Sequence, residues 1–347
     1  MFARSRFAFR ALPLVVAAAC VALLLPVAHA ASAALATQAG FRQMTVTASS
    51  ADDKPAHFAL YYPTPDAARV IPMGPFPQTV AINGAPESKV KGLIVISHGT
   101  ASTELGFATL ALALARNGYL VASVEHVGDT WQDQSMRATP GRYFAERPRQ
   151  ASRVIDTVLA DPQWRARLAL GAGGDERQPL IGALGHSAGG YTVLSALAFG
   201  RRFAAGINYY GVADLETLAA DTHKFESRYL DGLVAPLPAG RDVYRARSPV
   251  HHMAACRAAL ITFQGSDDQA VPPQQSRDIV AAARAAGCPV AYIEFAGEGH
   301  GFRQAPNIVR ALECELAFLG RVFGYTPADD VPTLEIDNYA ALRPAAG

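Results

Sequence analysis

The chain has 347 residues and carries 31 Lys+Arg against 30 Asp+Glu, a formal net charge of +1. That balance excludes the basic footprint nucleic-acid binding needs, and 50% hydrophobic residues exclude a disordered chain. Four cysteines without a Cys-x-x-Cys pair argue against a disulfide scaffold and a zinc ribbon.

Residues 1–30 read as an address rather than as fold. Arg4, Arg6 and Arg10 make a positive start, Leu12 to Val27 is almost wholly apolar, and Ala28-His29-Ala30 places small residues before a cleavage site at Ala31. This is the layout of a secretory signal peptide. Two rivals are weaker: the apolar run is short for an uncleaved anchor, which needs about 20 residues, and it continues past Cys20 of the lipobox-like Ala17-Ala18-Ala19-Cys20. The mature chain is then expected to be periplasmic or extracellular, with no membrane span. Cys256, Cys288 and Cys314 remain in it. Two readings stay open for them: a Cys256–Cys288 disulfide, because both precede neighbouring strand-like runs, or three buried free thiols.

From residue 31 to 327 the chain reads as a single α/β domain. Thr45–Thr47 and His57–Tyr62 look like edge strands, and Pro63 to Pro86, rich in Pro and Gly, looks like loop. Strand-like runs follow at Lys91–Ser97, Tyr119–Glu125, Leu180–Gly185, Ala204–Tyr210, Ala258–Phe263 and Val290–Phe295. Helical spacing fills Ser102–Asn117, Arg149–Ala160, Ala188–Phe199, Gln274–Ala286 and Ala305–Phe323. This alternation predicts a mostly parallel sheet with helices on both faces. Residues 212–248 show no clean strand and are expected to cap one end of the sheet, and 328–347 read as a surface tail.

The chemistry lies in loops that follow strands. Gly185-His186-Ser187-Ala188-Gly189 stands between a strand and a helix. A Gly-x-Ser-x-Gly at such a turn holds the serine in a strained backbone and lifts its hydroxyl clear of the sheet. The rival reading is a tight turn with a structural serine. Gly265-Ser266-Asp267-Asp268 and Gly297-Glu298-Gly299-His300 follow the next strands. A serine hydroxyl needs a base, histidine supplies one near neutrality, and a carboxylate fixes its tautomer. The order Ser, Asp, His is that of the α/β-hydrolase fold. One oxyanion N–H is expected from Ala188, after the nucleophile, and one from Thr100 in His98-Gly99-Thr100.

Resemblance sharpens this reading. Tyr244 to Tyr325, with Ser248-Pro249 and Gly265-x-x-Asp268-x-x-Val271, resembles the C-terminal catalytic part of the prolyl oligopeptidase family. That implies Asp268, not Asp267, as the orienting acid. Ile96–Thr130 and Arg147–Gly190 resemble the dienelactone-hydrolase-like branch of the α/β hydrolases, which includes relatives of platelet-activating-factor acetylhydrolase. The resemblance spans most of 40–325. Serine at position 187, where dienelactone hydrolases carry cysteine, implies ordinary ester hydrolysis.

Other residues are read more plainly. His186 is expected to pack in the elbow and His98 to anchor its loop. His251-His252 has no ligand at metal spacing and reads as a cap or surface pair. Glu125 and His126 suit a structural ion pair or the pocket wall. Asp129 and Trp131 are candidates for shaping the acyl pocket, and Tyr209, Tyr210 and Phe302 for its walls.

The resulting expectation is an exported serine esterase acting on a small-molecule or lipid-like ester. Ser187, His300 and Asp268 form its triad, and no metal or organic cofactor takes part. A small serine peptidase of prolyl oligopeptidase type is the rival in the same class; about 60 residues before the first core strand are too few for a gating domain. A non-catalytic envelope binding protein on the same fold is the rival from another class.

Overall fold

A computed structural model describes residues 37–46, 54–73, 75–138, 142–170, 178–221, 229–327 and 330–342. The expected signal segment, 1–30, lies outside them. Ten strands form one sheet: β1 (Gln38–Val46), β2 (Ala56–Thr64), β3 (Arg69–Met73), β4 (Phe76–Ile82), β5 (Leu93–Ser97), β6 (Leu120–Val124), β7 (Ile181–His186), β8 (Ala205–Tyr209), β9 (Ala259–Gly265) and β10 (Val290–Phe295). Their order is β10-β9-β8-β7-β5-β6-β2-β1-β4-β3. The six strands from β10 to β6 run parallel, and β2 and β1 add antiparallel pairs.

The helices are α1 (Ala108–Arg116), α2 (Arg142–Ala160), α3 (Pro162–Arg165), α4 (Ala188–Phe199), α5 (Leu215–Asp221), α6 (Tyr229–Leu233), α7 (Arg241–Arg247), α8 (Pro273–Ala285) and α9 (Ala305–Phe323). Strand side chains alternate between the two faces. Ile94, Ile96, Val121 and Ile261 therefore pack with α1 and α9, while Leu93, Val95 and Leu120 pack with α2. On that second face Leu260 and Val290 meet α4 and α8. With apolar cover on both faces, the central strands read as unbroken apolar runs rather than alternating ones. No helix among the described residues is long and apolar enough to cross a membrane.

Several expectations need correction. Pro63–Pro86 is not all loop: Arg69–Met73 and Phe76–Ile82 form an antiparallel hairpin that extends the sheet beyond β1. β1 begins at Gln38, well before Thr45, because its length is set by pairing with β2 from Gln38↔Thr64 to Val46↔Ala56. Residues 102–107 turn instead of starting α1, tied by the Ser102–Thr130 bridge. Helix α2 starts at Arg142 and runs through Pro148. Residues 212–248 carry the short helices α5, α6 and α7, whose Leu215, Leu230, Leu233 and Tyr244 pack on Tyr143, Phe144 and Tyr191.

The C-terminal stretch is seated, not merely on the surface. Val290 N–H donates to Asp337 O (3.0 Å), Asp337 N–H donates to Val290 O (2.8 Å), and Leu334 and Ile336 are buried. Cys256 and Cys288 do lie together at the start of β9 and β10, yet both are free thiols, as is Cys314. Cys288 Sγ points at the carbonyls of Met253 (3.8 Å) and Cys256 (3.7 Å) instead of forming a disulfide. Thiol titration of the denatured, unreduced chain from Ala31 onward is expected to give three thiols; one would mean that the pair is oxidised.

Candidate active site

The strand register gathers the loops. Ser97 pairs with Gly185 across β5 and β7, and Phe295 pairs with Gly265 across β10 and β9, so all four loops leave the same sheet edge. Open α/β sheets place their sites at this carboxyl edge.

Ser187 adopts φ 56°, ψ −116° at the turn from β7 into α4, a conformation few non-glycine residues hold without surrounding constraint. Its N–H donates to Tyr209 O (2.9 Å) and its carbonyl accepts from Tyr191 N–H (3.0 Å). Gly189 makes the turn possible: a Cβ there would run into Ser97 O. Helix α4 starts at Ala188, so the first N–H groups have no acceptor within the helix. The His98–Thr100 loop comes alongside, and a methyl on Gly99 would lie 3.7 Å from Ser187 Cβ.

Asp268 is 3% exposed. Its Oδ1 accepts Ala270 N–H and Val271 N–H, both at 2.9 Å, and its Oδ2 accepts Gln264 Nε2 at 3.2 Å and faces His300 Nδ1 at 2.8 Å. Asp267 instead takes a hydrogen bond from the neighbouring Ser266 hydroxyl at the exposed tip of the loop. The sheet thus brings Asp268 to His300 and leaves Asp267 aside. Gly265 lets the two loops close up, because a Cβ there would strike Glu298 O. Tyr210, next to the residue that bonds Ser187, has its ring 4.8 Å from the His300 ring.

Glu298 escaped the sequence reading. It is buried, and its carboxylate accepts Arg303 N–H, Gln304 N–H and Asn307 Nδ2, each at 2.9 Å. Burial pushes its carboxyl up, but these donors outweigh it and hold the group below its ordinary value. Glu298 thereby ties the His300 loop to the start of α9. Glu298→Ala is expected to lower kcat roughly tenfold with little change in KM by loosening His300, in steady-state assays. A twofold change or less would make the tie irrelevant to the histidine.

The remaining candidates sort by burial. His186 is sandwiched between the rings of Phe107 (3.8 Å) and Tyr209 (4.3 Å), and burial, with His300 nearby, lowers its pKa to about 3. It packs, as expected. His98 anchors its loop: Nδ1 bonds Gly99 O and Nε2 accepts His126 N–H. Glu125 and His126 form no ion pair among the described residues; Glu125 accepts His57 N–H, and His126 bonds Ser97 Oγ and Gln150. His251 faces Asp214 and His252 faces Arg245 O, and no group able to hold a metal occurs among the described residues.

Asp129 is fully buried and cannot line a pocket; it meets Arg147, a residue the sequence left without a role. Trp131 is 65% exposed beside a cleft of about 730 Å³ that also holds Ala101, Glu104, Leu105 and Glu125. Tyr209, Tyr210 and Phe302 line a second cavity of about 280 Å³ with Phe107 and Leu312.

Fold and site define an α/β-hydrolase. Comparison with known proteins narrows this. The model of the prolyl oligopeptidase family matches residues 165–326, the stretch that contains Ser187, Asp268 and His300. Dipeptidyl aminopeptidase BIII of Pseudoxanthomonas mexicana is 28% identical over 62% of this chain and 31% of its own length. A crystal structure of puromycin hydrolase superposes with a TM-score of 0.68 at 30% identity, over 86% of this chain and 41% of that one. The chain thus spans about a third of the curated relative's length. Thermogutta terrifontis esterase 2 is similar at TM-score 0.58 and 17% identity, covering 84% of this chain and 96% of that one, which speaks for the fold alone. The chain has the α/β-hydrolase fold, and its C-terminal part, residues 165–326, is similar to the prolyl oligopeptidase family.

Proposed function

We propose that the protein is a serine hydrolase of peptidase type that cleaves short aminoacyl or peptidyl amides. The observation that carries this is the 2.8 Å contact between buried Asp268 and His300 on the loops beside a backbone-strained Ser187. Ser187 Oγ attacks the carbonyl and His300 takes its proton. Asp268 orients His300, and the Ala188 and Thr100 N–H groups hold the oxyanion. His300 then protonates the leaving amine, and water releases the acyl group.

The peptidase reading replaces the ester one as the main conclusion because the matching family and the relatives named above favour it. The cleft beside the oxyanion loop agrees: Glu104 and Glu125 line it and offer carboxylates suited to an amine. Ester hydrolysis is the second reading, favoured by the dienelactone-hydrolase-like stretches at 96–130 and 147–190. Export through residues 1–30 remains a proposal beside it, tested by finding Ala31 as the first residue of protein recovered from the envelope fraction.

One experiment separates the classes. A fluorophosphonate probe is expected to label the wild type but not Ser187→Ala, and kcat/KM is expected to be higher for aminoacyl p-nitroanilides than for p-nitrophenyl acetate relative to their uncatalysed rates. Absence of label would favour a binding protein. Label with turnover of acetate or butyrate esters only would favour the esterase.

A further inference from the structure

One fully buried ion pair lies outside the triad. Arg147 and Asp129 are both 0% exposed and bonded to each other. Taking two charges out of water costs several kcal/mol per ion unless their remaining donors and acceptors are used. Here they are used on two particular segments.

The first is the His98–Ala101 loop. Arg147 Nη2 donates to His98 O and lies 3.3 Å from Ser97 Oγ. Asp129 Oδ1 accepts Ala101 N–H at 3.1 Å. Tyr143 OH donates to Asp129 Oδ2 at 2.8 Å and lies 2.8 Å from Thr100 Oγ1, so its oxygen accepts a hydrogen bond from the Thr100 hydroxyl. The second is the first turn of α4. Arg147 Nε reaches Thr192 Oγ1 at 3.4 Å, and that hydroxyl donates to Ala188 O at 2.9 Å. The imidazoles of His98 and His126 stay neutral beside the guanidinium, first because they are buried and then because of its charge.

Thr100 and Ala188 sit on the two segments so held. We propose that Arg147, Asp129 and Tyr143 are positioning residues that fix the Thr100 and Ala188 N–H groups in mutual register for the developing oxyanion; this rests on the serine hydrolase reading above. A donor must lie about 2.7–3.1 Å from where the charge forms. Small relative movement of two independent backbone segments would spoil that, and a buried, multiply bonded guanidinium resists it. Tyr143 and Arg147, four residues apart on α2, face the same side and reach both segments at once.

The test compares an activated ester with its thiono analogue, in which C=S replaces C=O. N–H donors stabilise developing negative oxygen far better than developing negative sulfur, so a damaged oxyanion site slows the oxygen ester selectively. Tyr143→Phe is expected to lower kcat for the oxygen ester about 10-fold and Asp129→Asn about 100-fold, with KM within about twofold. Thiono rates should change little, so the oxygen-to-sulfur rate ratio falls by the same factors. Tyr143→Phe removes one oxygen atom and carries the test if Asp129→Asn does not fold. Equal slowing of both esters, or no slowing, overturns the proposal alone. A wild type that hydrolyses neither ester overturns the hydrolase reading together with it.

Discussion

Asp268→Asn is expected to lower kcat about 10⁴-fold while leaving the fold intact, the size of effect seen when a triad acid becomes an amide. The local hydrogen bonds dictate the outcome. Two backbone N–H groups, from Ala270 and Val271, point at Oδ1. The carbonyl oxygen of an asparagine must take that position, because its NH2 would otherwise face two donors. The NH2 is then left facing His300 Nδ1 and Gln264 Nε2, where the carboxylate had accepted. His300 must turn Nδ1 into an acceptor and carry its proton on Nε2, the nitrogen that should receive the proton of Ser187. Asp267→Asn, at the loop tip, is expected to stay within twofold of wild type. Steady-state kinetics on both variants decide it, and the reverse ranking would reassign the orienting acid.

Glu315→Gln is expected to abolish a large pH dependence of stability. Glu315 lies on the buried side of α9, neither carboxyl oxygen has a partner at hydrogen-bond geometry, and the nearby polar group is the Tyr209 hydroxyl. Burial raises its pKa from 4.5 to about 8. The folded state therefore retains a proton that the unfolded chain gives up above about pH 4.5. The stability associated with the neutral acid is complete below pH 4.5 and is lost as pH rises through about 8. At about 1.4 kcal/mol per unit, the total is on the order of 5 kcal/mol. The difference in unfolding free energy between wild type and Glu315→Gln should be near zero at pH 4.5 and favour the variant by that amount at pH 9. Denaturant melts at both pH values measure it; a difference independent of pH would place the ionised form in the folded protein. The effect reaches the elbow, since Tyr209 stacks on His186 beside Ser187.

The legibility of each part follows from what its signal depends on. Strands such as Val290–Phe295 and helices such as Ala188–Phe199 are marked by largely apolar runs or by a turn glycine, and their limits coincide with the structure. Ser187, Asp268 and His300 stood out because the site chemistry requires particular residue types after successive strands. The β3–β4 hairpin did not, because edge strands with Pro72 and Pro77 and polar outward residues lack both apolar run and clean alternation. The start of α2 lies before the expected Arg149 because Pro148 reads as a boundary, though six residues of helix precede it. Arg147, Asp129, Glu298 and Glu315 carried no local mark. A charged residue on an amphipathic segment looks solvated until the fold shows which neighbours enclose it.

The two ends of the sheet are finished differently, with a consequence for self-association. An open strand edge is a template on which another chain can add a strand. At β3 the exposed positions include Arg69, and Pro72 withholds an N–H, so that edge is unattractive by composition. β10 has the regular, apolar character of a good template, and there the chain guards itself: residues near Asp337 occupy the Val290 edge, Arg284 pairs with Asp337, and Asn338 bonds the carbonyls of Arg284 and Cys288. The last described turns thus act as a stopper on the sheet, and trimming them would uncover a sticky rim while leaving the site at the opposite ends of these strands untouched.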